Sequence, residues 1–386
     1  MRWSESNEKA SSRGYHTNHT EFRKIVMNPA HRKRDGMNRR EALYSIAGGI
    51  AASMLGHSVL GAGASTAKKS KIGIDTFSYN IRFRTDRQLG DPLNFLEHCH
   101  QIGAGGAHME IGIRDGVYIR KLRSNAEKYK MFIEGSEGLP RSRSDVERFE
   151  KVVLTAKDAG VKVIRIFFGG RRYEQFDRAE QYKAFADRSW KSLRLAEPVA
   201  AKHGIRLAIE NHKDWRIPDM LSILEHISSE YVGVCVDTGN SFALLEDSMD
   251  VVKAYAPWCF STHLKDMAVA EYEDGFLLAD VPLGEGLLDL PEMVRILRKA
   301  KPETQFSVEM ATRDPLKVPC LKEKYWATFA NVPGTDLART LRYVRTNASE
   351  KDALPHTSHL PLDEQIKLEE QNIKKCIAYA IEHLNL

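Results

Sequence analysis

From Lys71 onward, the sequence alternates short apolar runs with longer amphipathic segments, eight times over about 240 residues. The apolar runs cover residues 71–79, 107–113, 130–138, 161–168, 205–211, 232–238, 260–266 and 305–310. The amphipathic segments between them include residues 88–103, 144–159, 176–203 and 289–300. Alternation at this spacing indicates a parallel sheet whose strands are joined by helices. Eight repeats predict a (β/α)8 TIM barrel over residues 71–345.

An open doubly wound sheet is the alternative arrangement of the same units. Its dinucleotide-binding version carries a G-x-G-x-x-G motif directly after the first strand, and no such motif follows residues 71–79. The LGEG stretch at 283–286 is interpreted as a turn rather than a phosphate loop. Beyond the barrel, apolar positions recur at helical spacing over residues 362–384. We therefore expect residues 346–386 to form a helical extension packed on the outside of the barrel.

The first 70 residues are predicted to be a disordered leader. Within them, residues 37–67 carry paired arginines, Arg39 and Arg40, then a weakly apolar span and a run of small residues. This layout resembles a twin-arginine (Tat) export signal. The apolar span is too weak to predict a transmembrane helix, so we expect no stable membrane insertion after signal removal. The protein is accordingly expected to be periplasmic or exported, and a basic leader on a cytoplasmic enzyme is the alternative.

The charge of the chain is unevenly distributed. Residues 1–70 hold 12 Lys and Arg against 5 Asp and Glu, whereas the remainder holds 45 against 47. A body with a net charge of −2 offers no basic footprint for a nucleic-acid backbone. We therefore expect a small-molecule partner and no nucleic acid. The sequence leaves the oligomeric state open, including a homo-oligomer.

Four consecutive predicted strands, the fifth to the eighth, each end in a side chain that can bind a metal ion. These are Glu210 in AIENH, Asp237 in CVDTG, His263 in STHLKD and Glu309 in SVEM. The carboxyl ends of barrel strands meet at one rim, so the four side chains should converge. Three carboxylates in a partly dry site repel one another, and a divalent cation removes that conflict. Three oxygen ligands and one imidazole suit Mn²⁺, Mg²⁺ or Co²⁺ and are compatible with Zn²⁺.

These four motifs, AIENH, VDTGN, HLKD and the strand-final Glu309, resemble the xylose-isomerase-like TIM barrel superfamily, the sugar phosphate isomerase/epimerase group. The resemblance covers about residues 71–345. It implies one divalent metal ion, commonly Mn²⁺, bound by Glu210, Asp237, His263 and Glu309. The stretch from Glu309 to Phe329 is also similar to an exported bacterial subgroup of these barrels.

The resemblance further implies two catalytic glutamates. In epimerases of this kind, the residues matching Glu210 and Glu309 remove a proton beside a carbonyl and return it on the opposite face, through a metal-stabilised enediolate. We expect a non-phosphorylated sugar as substrate, because phosphorylated sugars are scarce outside the cytoplasm. The alternative is a metal-dependent lyase or hydrolase that cleaves 3-keto-glycosides by elimination.

Asn240 departs from the epimerase pattern. Those enzymes commonly carry a histidine three residues after the aspartate of the sixth strand, where it contacts the substrate. Asparagine can hydrogen-bond a sugar oxygen but cannot shuttle a proton at neutral pH. This difference weakens a simple epimerase assignment.

Further residues are candidates for substrate binding because they end or follow the predicted strands. They are His212, Trp215, Asn240, Lys265, Glu134, Arg165 and Arg313. His212 is a candidate acid or base, and Trp215 a candidate for stacking on a sugar face or for packing in a loop. Lys265 either polarises a substrate oxygen or forms a salt bridge with Asp266 or Glu309. Arg165 either contacts the substrate or neutralises a glutamate of the second or third strand. Arg313 would close over the cavity as part of a lid.

Two other classes of function fit parts of the pattern. The AP-endonuclease branch of the same fold needs a basic groove and several metal ions fed by many histidines. The acidic body and the single strand-end histidine, His263, argue against it. A non-catalytic sugar-binding barrel is the other alternative and predicts no metal.

Overall fold

Eight parallel strands form the closed barrel that the sequence predicts, in a computed structural model that describes residues 69–329, 331–350 and 353–386. The barrel strands are β1 (Gly73–Asp75), β2 (Gly106–Met109), β3 (Phe132–Ser136), β4 (Val163–Ile166), β5 (Arg206–Glu210), β6 (Val232–Asp237), β7 (Cys259–Leu264) and β10 (Ser307–Val308). Their order around the barrel is β1-β10-β7-β6-β5-β4-β3-β2, with β2 paired to β1. The TIM barrel is thus confirmed, and the open doubly wound sheet is excluded.

Helices follow the strands and cover the outside of the barrel. They are α1 (Pro92–Gln101), α2 (Gly116–Tyr129), α3 (Val146–Asp158), α4 (Arg172–Gln175), α5 (Ala179–His203), α6 (Ile217–Ile227), α7 (Ser248–Tyr255), α8 (Leu290–Ala300), α9 (Glu323–Trp326), α10 (Gly334–Asn347) and α11 (Leu362–His383). Aspartates cap several of them. Asp115, for example, accepts hydrogen bonds from the backbone N–H groups of Val117 and Tyr118 at the start of α2. No helix in the described ranges is both long and apolar enough to cross a membrane.

Residues on the barrel strands alternate between two faces. Val234 and Val236 belong to the apolar core that includes the surrounding helices, whereas Cys235 packs with Ala208 in a separate cluster of strand residues. Asp237, two residues after Cys235, therefore faces the barrel interior. Small buried residues precede the other predicted ligands by two positions, as Ala208, Ser261 and Ser307 do. They leave space for larger polar side chains at the rim.

An antiparallel sheet that the sequence analysis did not anticipate follows β7. It consists of β8 (Asp266–Tyr272), β9 (Gly275–Val281) and β11 (Leu316–Val318), in the order β11-β9-β8. The local signal was an Asp274-Gly275 turn between alternating residues. Consequently residues 316–318, which follow Arg313, are a strand of this sheet, and Arg313 itself lines the cavity. The sheet places Asp280 of β9 close to the barrel rim.

The turn at 283–286 wraps around a protein carboxylate. Asp266 accepts hydrogen bonds from the backbone N–H groups of Gly284, Gly286 and Leu288, at 2.9 to 3.0 Å. A Cβ at Gly286 would lie 2.2 Å from Asp266 Oδ1, so this close approach requires glycine. These N–H groups are engaged, and the interpretation of LGEG as a turn rather than a phosphate loop is confirmed.

The predicted C-terminal helix is present as α11, and it supports the loop after β1. Ile373, Cys376 and Ala380 are buried against the barrel core. Glu369 is also buried, and it accepts hydrogen bonds from the backbone N–H groups of Ile81 and Arg82, at 2.7 and 3.0 Å. Helix α11 thereby fixes a loop that borders the central cavity. The predicted signal at 37–67 and all but the last two residues of the predicted leader lie outside the described residues, which begin at 69.

The contact between α11 and the loop after β1 can be tested with Glu369→Gln. The amide places an N–H₂ group against one of the two backbone donors, so we expect a loss of about 1–3 kcal/mol in the free energy of unfolding. The measurement is chemical denaturation followed by circular dichroism. Glu382→Gln, which changes an exposed residue of the same helix, is the control and should leave the midpoint unchanged. Equal midpoints for both variants would contradict this role of Glu369.

Candidate metal centre and its cavity

The four predicted ligands converge at the carboxyl ends of β5, β6, β7 and β10. One ligand atom from each of Glu210, Asp237, His263 and Glu309 lies within 4.8 Å of the other three. The first three side chains are fully buried, and Glu309 is 5% exposed. Strand register produces this arrangement, because Asp237 pairs with His263 and the backbone N–H of Glu309 donates to the carbonyl of Leu264.

The ligand atoms lack the hydrogen bonds usual for buried polar atoms. Asp237 Oδ2, His263 Nδ1 and Glu309 Oε2 are buried and make no hydrogen bond to the described residues, although Lys265 Nζ forms ion pairs with both carboxylate oxygens. Buried polar atoms without hydrogen bonds are uncommon, and three that face one point are suited to a bound cation. A set of carboxylates with one imidazole nitrogen fits a divalent cation. The residues present therefore fit the predicted metal.

A chain of hydrogen bonds sets the orientation of His263. His108 Nε2 lies 3.2 Å from the carbonyl of Gly135, which can only accept, so this nitrogen carries the hydrogen. Nδ1 of neutral His108 then accepts from His263 Nε2 at 3.0 Å. This leaves Nδ1 of His263 with its lone pair directed at Glu210 Oε1 and Glu309 Oε2, 3.5 and 3.2 Å away. The tautomer that binds a metal is thus selected by the protein.

The charges around His263 favour a positive group at its Nδ1. Burial lowers the pKa of His263, but Cys235, Glu309 and Glu210 together raise it well above its usual value. Burial lowers the pKa of His108 well below its usual value, with His263 acting in the same direction, so His108 stays neutral. The carboxylates therefore stabilise a cation, whether a proton or a metal ion, at one defined nitrogen.

Asp237 is held by its own backbone turn. Its Oδ1 accepts hydrogen bonds from the N–H groups of Gly239 and Asn240, at 2.9 and 2.8 Å. Its backbone N–H donates to Asn211 Oδ1 at 2.8 Å. Only Oδ2 is left for a ligand. Burial raises the pKa of Asp237, and Lys265 opposes that rise.

The two glutamates are neutralised by different cations. Arg165 Nε lies 2.7 Å from Glu210 Oε2, and the Arg165 Nη2 group contacts the same oxygen. Lys265 Nζ lies 2.8 Å from Glu309 Oε2 and 3.3 Å from Asp237 Oδ2. Burial raises the pKa of both glutamates, but these cations and His263 outweigh it and hold both pKa values well below the usual range.

A cavity of about 550 Å³ opens onto the centre. A sugar fits this volume, since ligand sites commonly measure about 300–1,000 Å³. Of the predicted residues, Arg165, His212, Lys265, Glu309 and Arg313 line it. Its other walls come mainly from the loops after β1 and β4, through Thr76, Phe77, Asn80, Phe83, Phe167, Gly170 and Arg171.

His212 presents one nitrogen as a fixed donor. Its Nδ1 lies 2.9 Å from the carbonyl of Gly169, so Nδ1 carries the hydrogen and Nε2 is left as an acceptor. Burial lowers the pKa of His212 to about 4, and Lys213 acts in the same direction. His212 is thus a neutral imidazole in the cavity wall.

Two of the residues predicted to bind substrate, Trp215 and Glu134, lie away from the cavity lining. Trp215 is 3% exposed and packs against Phe168, Tyr182 and Phe185, so its contacts support loop packing and not sugar stacking. Glu134 lies deeper in the barrel, 3.3 Å from Ser307 Oγ, and burial raises its pKa to about 8. Arg165 pairs with Glu210. The expectation that it neutralises a glutamate of the second or third strand is thereby corrected.

Asn240 stands behind the cavity wall and links the two halves of the site. Its Nδ2 donates to Glu210 Oε1 at 3.1 Å. Its Oδ1 accepts from Lys265 Nζ at 3.2 Å and also from Lys213 Nζ. An amide at this position therefore orders a carboxylate on one side and two ammonium groups on the other. Asp266 takes no part in pairing Lys265, because it holds the 283–286 turn.

Sequence reasoning missed several residues of the site. His108 lies between Ala107 and Met109, which pack in the apolar core, and strand alternation in AHMEIGI could have indicated that His108 faces the opposite way, inward. Lys213, beside His212, carried a signal only as part of the same loop. Asp280 belongs to the unanticipated sheet, and Arg313 donates to it at 2.8 and 3.0 Å. The structure thus adds His108 as a second histidine at the strand ends, bonded to His263.

His108 can be tested as a residue that positions His263. His108→Ala removes the acceptor for His263 Nε2, and we expect Mn²⁺ affinity to fall about 10- to 100-fold, as is typical when the hydrogen-bond partner of a ligating histidine is removed. Isothermal titration calorimetry measures this change, with unchanged stoichiometry. His226→Ala, which changes an exposed residue of α6, is the control. An affinity equal to that of the unmodified protein would refute the positioning role.

Comparisons with known proteins agree with this fold. Residues 118–331 match the family described as xylose isomerase-like TIM barrel. Among curated proteins, the chain is 25% identical over 237 residues to the 3-oxo-isoapionate decarboxylase of Pectobacterium atrosepticum, covering 59% of this chain and 80% of that protein. It is 24% identical over 218 residues to the putative L-ribulose-5-phosphate 3-epimerase of Escherichia coli, covering 54% and 72%.

Among solved structures, the chain is similar to a xylose isomerase-like TIM barrel protein of Mycobacterium smegmatis in complex with magnesium. The identity is 16%, the TM-score 0.47, and the match covers 70% of this chain and 98% of the other. The 3-keto-D-glucoside 4-epimerase of Escherichia coli is 15% identical with a TM-score of 0.45, covering 72% and 100%. The family match extends over more than half of the 386 residues. The chain therefore belongs to the xylose isomerase-like TIM barrel family.

Proposed function

We propose that this protein is a divalent-metal-dependent sugar isomerase or epimerase that removes a proton beside the carbonyl of a non-phosphorylated keto sugar. One observation carries the proposal: Glu210 and Glu309 approach the same buried nitrogen, His263 Nδ1, at the floor of a sugar-sized cavity. The two curated relatives are named as an epimerase and as a decarboxylase of an oxo acid. Both reactions place negative charge on the carbon next to a ketone.

Glu210, Asp237, His263 and Glu309 would hold the metal ion. When bound there, a divalent cation polarises the ketone and stabilises the negative charge that develops beside it. The metal is proposed to be Mn²⁺. The ligand set also accepts Mg²⁺, Co²⁺ or Zn²⁺.

The surroundings of the two glutamates favour Glu309 as the group that removes the proton. Glu309 lines the cavity, and its Oε2 makes no hydrogen bond to the described residues apart from its ion pair with Lys265. Its low pKa keeps it ionised, and Lys265, 2.8 Å away, compensates the carboxylate charge. For epimerisation, the proton returned on the other face would come from solvent and pass by way of Glu210 Oε1, because the low pKa of Glu210 leaves its carboxylate ionised. This oxygen accepts the amide of Asn240 at 3.1 Å.

The cavity walls orient the substrate and limit the access of water. Phe77, Phe83 and Phe167 supply apolar surface, which suits the C–H faces of a sugar ring. The guanidinium of Arg165 lies 4.7 Å from the centre of the Phe167 ring. The same group pairs with Glu210. His212 Nε2 is left to accept a hydrogen bond from a substrate hydroxyl.

Eliminative cleavage of a 3-keto-glycoside is the second candidate, and one observation favours it. Both oxygens of Glu210 already accept hydrogen bonds, which makes reprotonation on its face less direct. In the elimination, Glu309 takes the C2 proton and the C1–O bond breaks. The electrons of the C–H bond form the C1–C2 double bond, and the departing alkoxide takes a proton from solvent.

Export of the mature protein is part of the proposal and rests on the sequence at 37–67 alone. Export favours a sugar without phosphate as substrate, because phosphorylated sugars are scarce outside the cytoplasm.

Proton abstraction can be tested by NMR in D₂O. We expect the Mn²⁺-loaded protein to incorporate deuterium beside the carbonyl of a free ketose or a 3-keto-glycoside. Inversion at the labelled carbon supports epimerisation, and release of the C1 alcohol supports elimination.

Glu309→Gln should slow deuterium incorporation about 10²- to 10⁴-fold, the usual contribution of a general base. Metal content and circular dichroism are measured on the same sample, so that loss of the ion or of the fold is recognised. Glu303→Gln is the control, because Glu303 is an exposed residue that precedes β10, at the end of the strand away from Glu309. Exchange at the unmodified rate in Glu309→Gln would contradict the assignment of Glu309 as the base.

A further inference from the structure

Two buried ammonium groups meet at one amide oxygen in the cavity wall. Lys213 follows β5 and Lys265 follows β7, and their side chains both line the cavity although they are only 2% and 3% exposed. Both donate to Oδ1 of Asn240. Like charges that share one neutral acceptor in a buried site repel each other, so the arrangement requires further negative charge nearby.

That negative charge is supplied to Lys265 but not to Lys213. Lys265 has Glu309, Asp237 and Asp280 at 2.8, 3.3 and 4.0 Å. For Lys213, the part of the chain that the structure describes places no carboxylate oxygen within 4 Å of its nitrogen, and Asn240 is its acceptor. Burial lowers the pKa of Lys213 to about 8, and Lys265 and Arg313 act in the same direction. An ammonium has three donors, and a buried one is stable only when it is paired.

The charge of the whole site points in the same direction. Five buried carboxylates, Asp75, Glu210, Asp237, Asp280 and Glu309, face four cations, Arg165, Lys213, Lys265 and Arg313. A divalent ion on the four ligands would add two positive charges to this set and leave an excess of positive charge. A ligand that carries negative charge beside Lys213 would offset part of that excess.

We propose that Lys213 and Lys265 form a binding site for a carboxylate of the substrate, so that the substrate is an acidic keto sugar. The inference rests on the proposed function, since it assumes that the cavity holds the substrate. Lys213 is the residue that sets this specificity, because Lys265 is already paired with protein carboxylates.

A carboxylate fits this site better than a phosphate group. Phosphate is usually held by several backbone N–H groups or by the paired donors of arginine. Here Arg165 is committed to Glu210, Arg313 to Asp280, and the N–H groups of the 283–286 turn to Asp266. Two ammonium groups match the two oxygens of one carboxylate.

Three ligands with the same carbon skeleton test the proposal by calorimetry on the Mn²⁺-loaded protein. 2-Keto-D-gluconate carries a carboxylate at C1, D-fructose a hydroxymethyl group, and D-fructose 1-phosphate a phosphate ester. We expect 2-keto-D-gluconate to bind about 10- to 100-fold more tightly than D-fructose, the effect of one buried charged hydrogen bond. Equal binding of these two, or tighter binding of the phosphate ester, would overturn the proposal.

In Lys213→Met, 2-keto-D-gluconate should bind no more tightly than D-fructose when both are measured on the same variant, whereas Lys213→Arg should retain most of the preference. Lys183→Met, which changes an exposed residue of α5, is the control and should retain the full preference for the carboxylate. A preference that persists in a folded Lys213→Met protein would also overturn the proposal. If that variant does not fold, the comparison of the three ligands on the unmodified protein still decides.

The outcomes separate this inference from the proposed function. A preference for the carboxylate without deuterium exchange on any keto sugar would uphold the anion site and reject the isomerase. Exchange on a neutral ketose without a carboxylate preference would reject the anion site alone.

Discussion

Repulsion between buried carboxylates is the constraint on which the site of this barrel depends. Glu210, Asp237 and Glu309 lie at adjoining strand ends with almost no exposure to water. Arg165 and Lys265 compensate part of their charge, and His263 presents a nitrogen whose lone pair faces the same point. The small interior residues below the site and the hydrogen bonds behind it keep these groups in place. A cation at their centre would make the arrangement favourable.

The same charges distinguish the two glutamates, and this difference links the structure to the proposed chemistry. Glu210 is tied to Arg165 and Asn240, whereas Glu309 opens onto the cavity beside Lys265. A proton can therefore be removed more readily on one face of a substrate than it can be returned on the other. Epimerisation and elimination share the first of these steps.

The sequence predicted the parts of the structure that depend on periodic patterns. Strand–helix alternation defined the barrel, and the strand ends identified four ligands that lie far apart in the chain. Residues such as His108 and Lys213 were missed, because their importance comes from partners on other strands and not from a local pattern. Trp215 was ambiguous for a similar reason, since its aromatic neighbours come from α5 and the loop after β4. The sheet of β8, β9 and β11 escaped notice although a turn signal was present, because the barrel pattern assigned that segment to a connection.

The most direct test of the central claim is anomalous diffraction from crystals grown with Mn²⁺. The account predicts one strong peak within about 2.0–2.3 Å of the ligand atoms of Glu210, Asp237, His263 and Glu309. Several peaks in the cavity, or no peak while Lys265 remains between Asp237 and Glu309, would contradict it.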